Sequence, residues 1–208
     1  MATARVVFKG PGPQVNGLQA RPEGLWVCDQ VDNRIYLIDY ETGAVLNSFD
    51  TPARNLSGIA YGGGPWGAAN VRPATLYRHN PYNGQCLQAL VLPDPMAGGV
   101  HGIEYHERAL WVTRPGLLTI QKIDANTGEL LHTIPFPAQR SHGLFWLDGT
   151  LTCVETNHGH VYKLDPSDGK VLDEWVIEGY EPHGMTRSAD GRVWLCDATT
   201  NTIALLEK

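Results

Sequence analysis

One glycine placed before an apolar residue recurs five times, and its period limits what this chain can fold into. The pairs are Gly17-Leu18, Gly58-Ile59, Gly102-Ile103, Gly143-Leu144 and Gly184-Met185, spaced by 41, 44, 41 and 41 residues. A second glycine follows each of the first four after 26 residues: Gly43, Gly84, Gly128 and Gly169. These sit in Glu-Thr-Gly, Tyr-Asn-Gly, Asn-Thr-Gly and Ser-Asp-Gly. Such sequences demand a positive φ that glycine adopts without a Cβ clash, so they read as hairpin tips. Between the glycines the apolar residues form runs of strand length. Leu25-Trp26-Val27 returns as Leu110-Trp111-Val112 and Val193-Trp194-Leu195, and no stretch keeps a helical period. Four short strands in each 40-odd residues predict an all-β, five-bladed β-propeller, a single domain over 1–208.

The ends fit the same period. A fifth tip is due just beyond Lys208, and the strand that should follow it is found at the other terminus, Ala4-Arg5-Val6-Val7-Phe8-Lys9. Pairing the N-terminal strand with the C-terminal blade would close the ring and remove an open edge. The three extra residues of the second repeat fall in Pro93-Asp94-Pro95-Met96-Ala97-Gly98-Gly99-Val100, an irregular link that reads either as a lid or as a neutral insertion.

Composition narrows the partners. A net charge of −6 disfavours nucleic acid and anionic membrane, both of which need a basic face. No apolar run approaches membrane-spanning length, and the start has no apolar core like that of a signal peptide, so a cytoplasmic location is expected. The four cysteines form no C-x-x-C pair, and Cys28, Cys153 and Cys196 lie in apolar strand patterns, as buried free thiols do.

In a propeller, the links between blades and the turns after each second strand open on one face, around the axis. The period therefore defines two rings. The first, just before each first glycine, is Asn16, Ser57, His101, His142 and His183. The second is Asp29, Asn70, Arg114, Glu155 and, allowing one extra turn residue, Asp197. Three histidines in successive blades should converge on the axis, and three neutral imidazoles suit a divalent metal with open positions for water and substrate. Zinc is the first choice, with manganese, iron, magnesium or calcium as alternatives. The competing reading is one ancestral turn residue copied by duplication. Glu155 could accept a proton or serve as a fourth ligand. Arg114 could hold a developing anion, or the two could form an ordinary ion pair. Asp29, Asp197, Asn16, Ser57 and Asn70 are further ligand or orienting candidates. His158 and His160, just past Glu155, could face a small-molecule substrate or stand exposed on a loop. Tyr105 and Trp146 read as packing between blades.

Pro182-His183-Gly184-Met185 through Arg192-Val193-Trp194-Leu195-Cys196-Asp197, and Gly24-Leu25-Trp26-Val27 to Ile38-Asp39, resemble blades of the streptogramin (virginiamycin B) lyases. More loosely they resemble gluconolactonase-group and NHL-type propellers. The resemblance implies metal-dependent cleavage of an ester-like bond (lactone, cyclic ester or phosphotriester) by hydrolysis or elimination. It places His183 and Glu155 at the positions that match the lyases' His and Glu. Those lyases have seven blades and the lactonase group six, against five here. Some plant-type glutaminyl cyclases have five, but no motif of theirs is legible. NHL-type propellers also serve as non-catalytic scaffolds, so a binding protein is the alternative function.

Overall fold

The computed structural model describes residues 2–207. The chain opens with β1 (Ala2–Lys9) and continues through β2 (Val15–Arg21), β3 (Gly24–Asp29), β4 (Arg34–Ile38) and β5 (Val45–Asp50). The second repeat holds β6 (Leu56–Tyr61), β7 (Pro65–Ala69), β8 (Thr75–His79) and β9 (Cys86–Val91). The third holds β10 (Ile103–His106), β11 (Ala109–Arg114), β12 (Thr119–Asp124) and β13 (Leu130–Pro135), with a 3-10 turn at Pro115–Leu117. The fourth holds β14 (Ser141–Leu147), β15 (Thr150–Glu155), β16 (His160–Leu164) and β17 (Val171–Glu178). β18 (Gly184–Arg187), β19 (Val193–Asp197) and β20 (Thr202–Glu207) complete the chain. The protein is all-β, and each repeat is an antiparallel meander, as expected of a β-propeller.

The hairpin tips follow from local chemistry. Gly43, Gly84, Gly128 and Gly169 adopt φ of 69°, 72°, 78° and 78°. Each donates its amide four residues back, to the carbonyl of Asp39, Asn80, Asp124 or Asp165. The side-chain oxygens of these four residues accept amides inside the same turn. Acid or amide, then glycine four residues on, therefore fixes each reversal, and the apolar runs on either side pair in register.

β1 pairs antiparallel with β20, from Thr3 opposite Glu207 to Lys9 opposite Thr202. The outermost strand of the last repeat is thus supplied by the N-terminus. The expectation of separate four-stranded sheets needs one correction. Ala2 and Thr3 also pair in parallel with Ile177 and Glu178 of β17. That contact fuses the fourth and last repeats into one eight-stranded sheet beside three four-stranded ones. The reason is length: β1 starts at Ala2, two residues ahead of the expected strand, and the overhang reaches its neighbour's edge.

The buried apolar residues fall into clusters that each span two neighbouring repeats. Trp26 and Ile35 pack with Leu56 and Ile59. Trp66 and Leu76 pack with Ile103 and Leu110, and Trp111 and Ile120 with Leu144 and Leu151. Val154 and Val161 pack with Met185 and Leu195. Trp194 and Ile203 return to Leu18 and Leu25, so the succession closes. The buried faces of the sheets meet each other, which is why both faces of β3, β7 and β11 are buried.

The glycines opposite the tips explain how closely the inner strands approach. A Cβ on Gly58 would lie 2.6 Å from the His101 carbonyl oxygen, one on Gly102 2.1 Å from that of His142, and one on Gly143 2.7 Å from that of His183. A Cβ on Gly184 would lie 2.8 Å from the Gly17 Cα, and one on Gly17 3.2 Å from the Ser57 carbonyl oxygen. Five glycines thus lie each against the next around one axis. A residue with any side chain would hold neighbouring strands apart.

Candidate functional site

The residue before each of these glycines sits at the start of an inner strand, directly over the ring. Asn16, Ser57, His142 and His183 are buried and His101 is partly so. Ser57 Oγ donates to Asn16 Oδ1 at 3.0 Å, and Asn16 Nδ2 donates to Gln30 Oε1 at 3.3 Å. The other side of the axis is a column of imidazoles. The His101 and His142 ring centroids are 4.3 Å apart, and those of His142 and His183 are 4.7 Å apart. Asn16, Ser57 and His101 border a cavity of about 10 Å³ enclosed by the glycines, room for about one water.

All three imidazoles are held neutral. Burial, then the Arg140 guanidinium, pushes His101 down to about 4. Burial and the neighbouring rings hold His142 well below the usual histidine range. Burial lowers His183 despite its bond to the Glu181 carbonyl. That bond, 3.0 Å from His183 Nδ1, requires a proton on Nδ1; a 3.3 Å approach from the Ala198 amide would require a lone pair there. The shorter contact sets the tautomer and leaves Nε2 as a base. Nδ1 of His101 and of His142 is buried without a partner among the described residues.

The expected tri-histidine metal centre can be tested on this geometry. The donors are chemically suitable, being neutral imidazoles. The rings, however, lie against one another tilted at 51° and edge-on at 67°. Among the described residues no group of three or more His, Cys, Asp or Glu side chains is arranged to hold a metal. Convergence on one ion would take rotation of the rings out of the column.

The second ring does something the sequence reading did not foresee: most of its members fasten their own loops. Asp29 accepts the amides of Gln14 at 2.5 Å, Val31 at 2.9 Å and Asp32 at 3.1 Å, while burial raises its carboxyl above the ordinary value. Asp197 accepts Thr199 and Thr200 amides at 2.7 and 3.1 Å. Glu155 accepts the amides of Asn157 and His158 at 3.1 and 2.9 Å, and Oε2 lies 3.1 Å from His158 Nδ1. Asn70 packs against Gly99, where a Cβ would come within 2.3 Å of its side chain. A turn that leaves two amides unpaired next to a crowded axis needs a side-chain acceptor, and that need selects Asp or Glu at this position.

Arg114 is 1% exposed and makes no pair with Glu155. Its guanidinium donates to the Pro93 carbonyl and Gln121 Oε1 at 3.0 Å, to the Asp94 carbonyl at 2.9 Å and to the Gly98 carbonyl at 3.3 Å. The inserted link is therefore clamped from below, and the guanidinium expected at a reacting anion is engaged in the loop. His158 is 75% exposed at its side chain and stands at the mouth, while His160 stacks on Tyr162. Tyr105 and Trp146 pack against the clusters between repeats, as expected.

Sequence reasoning missed the pair that rims the imidazole column. Arg140 reaches Asn157 Oδ1 at 3.1 Å and Glu181 Oε1 at 3.4 Å, and its charge acts on all three histidines. Each residue lies two positions before the one that the period marks: Arg140 precedes Ser141-His142, and Glu181 precedes Pro182-His183. Reading three residues ahead of each glycine pair, not one, would have found them.

Sheets of four antiparallel strands packed in a closed succession define the class, a β-propeller. Comparison with solved structures agrees. Glutaminyl cyclase from Myxococcus xanthus is similar over 99% of this chain and 96% of its own, at 12% identity and a TM-score of 0.79. Virginiamycin B lyase from Staphylococcus aureus is similar over 98% of this chain and 69% of its own, at 22% identity and a TM-score of 0.60. A catalytically inactive histidine-to-alanine variant of that lyase with quinupristin matches at 21% identity over 97% of this chain and 69% of its own, TM-score 0.59. At these identities the likeness establishes the fold alone. No family model matches the chain, and no curated protein does.

Proposed function

We propose that this chain is a five-bladed catalytic propeller that cleaves an ester-like bond in a small molecule at the imidazole column. The blade count rests on the ring of five glycines and on the five clusters that link neighbouring repeats. One observation carries the function: three neutral imidazoles are buried together, and two of them keep an Nδ1 without any bond that would explain its burial. Burying such a nitrogen unpaired costs about 1–3 kcal/mol, a cost that packing alone gives no reason to bear in two successive blades.

In this reading a neutral imidazole takes the proton, from water in hydrolysis or from carbon beside a carbonyl in elimination. His183 is the best placed, since its Nδ1 bond orients the ring. Glu155 sets His158 at the mouth, and the cation nearest a developing anion is Arg140 rather than Arg114. The 10 Å³ cavity is too small for substrate, so the substrate must approach over the Arg140–Glu181 pair. A divalent metal is a second element of the proposal; bound by His101, His142 and His183, it would polarise the substrate's oxygen. The near-complete mutual coverage with a glutaminyl cyclase favours a second reading, an intramolecular cyclase of N-terminal glutamine.

The test is turnover of a lactone, a cyclic depsipeptide and an N-terminal glutaminyl peptide by tag-free protein, with elemental analysis alongside. Cleavage of an ester probe that is lost in His183→Asn supports the reading. Solvent oxygen in the product marks a hydrolase, and a new ultraviolet-absorbing double bond marks a lyase. Ammonia release from the glutaminyl peptide alone would replace the ester reading with the cyclase. About one equivalent of metal that disappears when His101, His142 and His183 are all changed to Ala would show that the column opens to an ion. No turnover of any probe would leave a binding scaffold as the better account.

A further inference from the structure

Two repeats set a cation over a tryptophan in the same way. Trp66 of β7 is opposite Arg78 of β8, and Trp111 of β11 is opposite Lys122 of β12. The Arg78 guanidinium and the Lys122 ammonium each lie 5.6 Å from the centroid of the ring opposite, within the range of a cation–π contact. The first and last repeats have leucine at the cation's position: Leu37 opposite Trp26 and Leu205 opposite Trp194. In the last repeat Arg192 supplies the charge from another position, 5.2 Å from the Trp194 ring. Among the described residues no cation does this for Trp26.

A groove of about 420 Å³, within the range of small-molecule sites, lies there between the first and second repeats. Leu37, Leu46, Tyr61 and Tyr82 line it, and Glu23 is the only charged side chain of the lining among the described residues. Trp26 is 1% exposed, so its part is indirect: its indole N–H donates to Glu23 Oε1 at 3.0 Å and holds the carboxylate in place. Glu23 has no ion-pair partner within 4 Å among the described residues. The Arg21 guanidinium lies over Tyr61, 4.6 Å from its centroid, but is outside the lining. The other aromatic wall, Tyr82, is 87% exposed on a pinned backbone. Its amide donates to Asn80 Oδ1 at 2.9 Å, and Asn47 Nδ2 donates to the carbonyls of Pro81 and Tyr82 at 2.9 and 3.4 Å.

We infer that this groove binds a small organic ammonium ion, its charge at Glu23 and its apolar body against Tyr82, Tyr61 and Leu46. A carboxylate attracts the ammonium, and aromatic rings attract a cation while giving its hydrocarbon a surface to cover. An anionic ligand would meet the like charge of Glu23 on a chain whose net charge is −6. The ligand would bring to the first repeat the positive charge that Arg78, Lys122 and Arg192 bring to the other repeats with a tryptophan at this position. No residue of the imidazole column lines the groove, so the site stands whether or not that column is catalytic.

The experiment is calorimetric titration of the whole chain with 2-phenylethylammonium chloride, and separately with 2-phenylethanol and with sodium 3-phenylpropanoate, at constant chloride. The indole N–H signal of Trp26, identified by its shift in Glu23→Gln, reads the location by NMR. One saturable ammonium site that moves this signal and weakens about fivefold in Glu23→Gln and in Tyr82→Ala would bear the inference out. Glu23 and Tyr82 are exposed, and glutamine keeps an acceptor for the Trp26 indole, so both variants should fold. Asp168→Asn, which removes one negative charge at the hairpin tip of the fourth repeat, should leave binding unchanged. Equal weakening in Asp168→Asn would reduce the effect to bulk charge and overturn the site, as would binding that leaves the Trp26 signal in place. Absence of saturation, or equal binding of the alcohol or the carboxylate, would overturn the ligand class.

Discussion

Replacing Gly102 by alanine should destabilise the fold far more than one methyl group suggests. The added Cβ would sit 2.1 Å from the His142 carbonyl oxygen, 2.7 Å from its carbon and 3.0 Å from the Gly143 Cα. Ordinary contact begins near 3.4 Å, so the inner strands of the third and fourth repeats must separate by more than 1 Å. All three atoms are backbone, and the strand that carries them is itself seated against Gly184. No rotamer can relieve the clash. Overpacking against yielding side chains costs about 1–3 kcal/mol, and a closed ring that must open locally should cost at least the top of that range. For a chain of this size about 3 kcal/mol lowers Tm by roughly 6–12 °C. Gly149→Ala is the control. It lies at φ 75°, a left-handed demand that Gly102 does not make, but has no atom within 4 Å of the new Cβ, so only the left-handed cost of about 1–2 kcal/mol applies. Thermal and urea unfolding of the two variants measures the difference. Equal losses would mean that the inner strands part without penalty, and the argument that these glycines set the closure would fail.

Two further outcomes are expected. Arg114→Met should free the Pro93–Val100 link, because the carbonyls of Pro93, Asp94 and Gly98 lose their donor. Limited proteolysis should then cut within that link while the rest of the chain stays protected, and unchanged resistance would refute the clamp. Glu104→Gln should stabilise the protein at pH 8 by about 1–2 kcal/mol, discounted for the group's partial exposure. The sign follows from proton uptake. With the folded carboxyl raised to about 8 from an ordinary 4.5, the folded state holds a proton that the unfolded chain has lost, so stability falls as pH rises from about 4.5 to about 8. Unfolding curves across that window should show wild type losing stability relative to Glu104→Gln, and parallel curves would refute the assignment.

Much of the fold was legible because its rules are local and repeat. A hairpin tip needs a positive φ, glycine supplies it, and the chain does so four times at a fixed distance from a second glycine. The first ring at the axis was legible for the same reason: position in the period fixes position around the axis, so Asn16, Ser57, His101, His142 and His183 do meet there. The polar character of the second ring was legible too, but its use was not. Whether Asp29 or Glu155 faces a substrate or caps two amides of its own turn depends on where those amides point, and spacing carries no such information.

The sequence by itself therefore determined the repeat, the tips, the pairing of the first strand with the last, and which side chains reach the axis, because each depends on residues at fixed offsets along one chain. Only the tertiary structure decided the rest. It set three imidazoles in a column of tilted and edge-on rings rather than around a common point, turned Arg114 onto the inserted link, joined β1 to β17, and brought Arg140 and Glu181 over the histidines. Each of these depends on side-chain direction or on contact between distant repeats, and both are settled by packing in three dimensions.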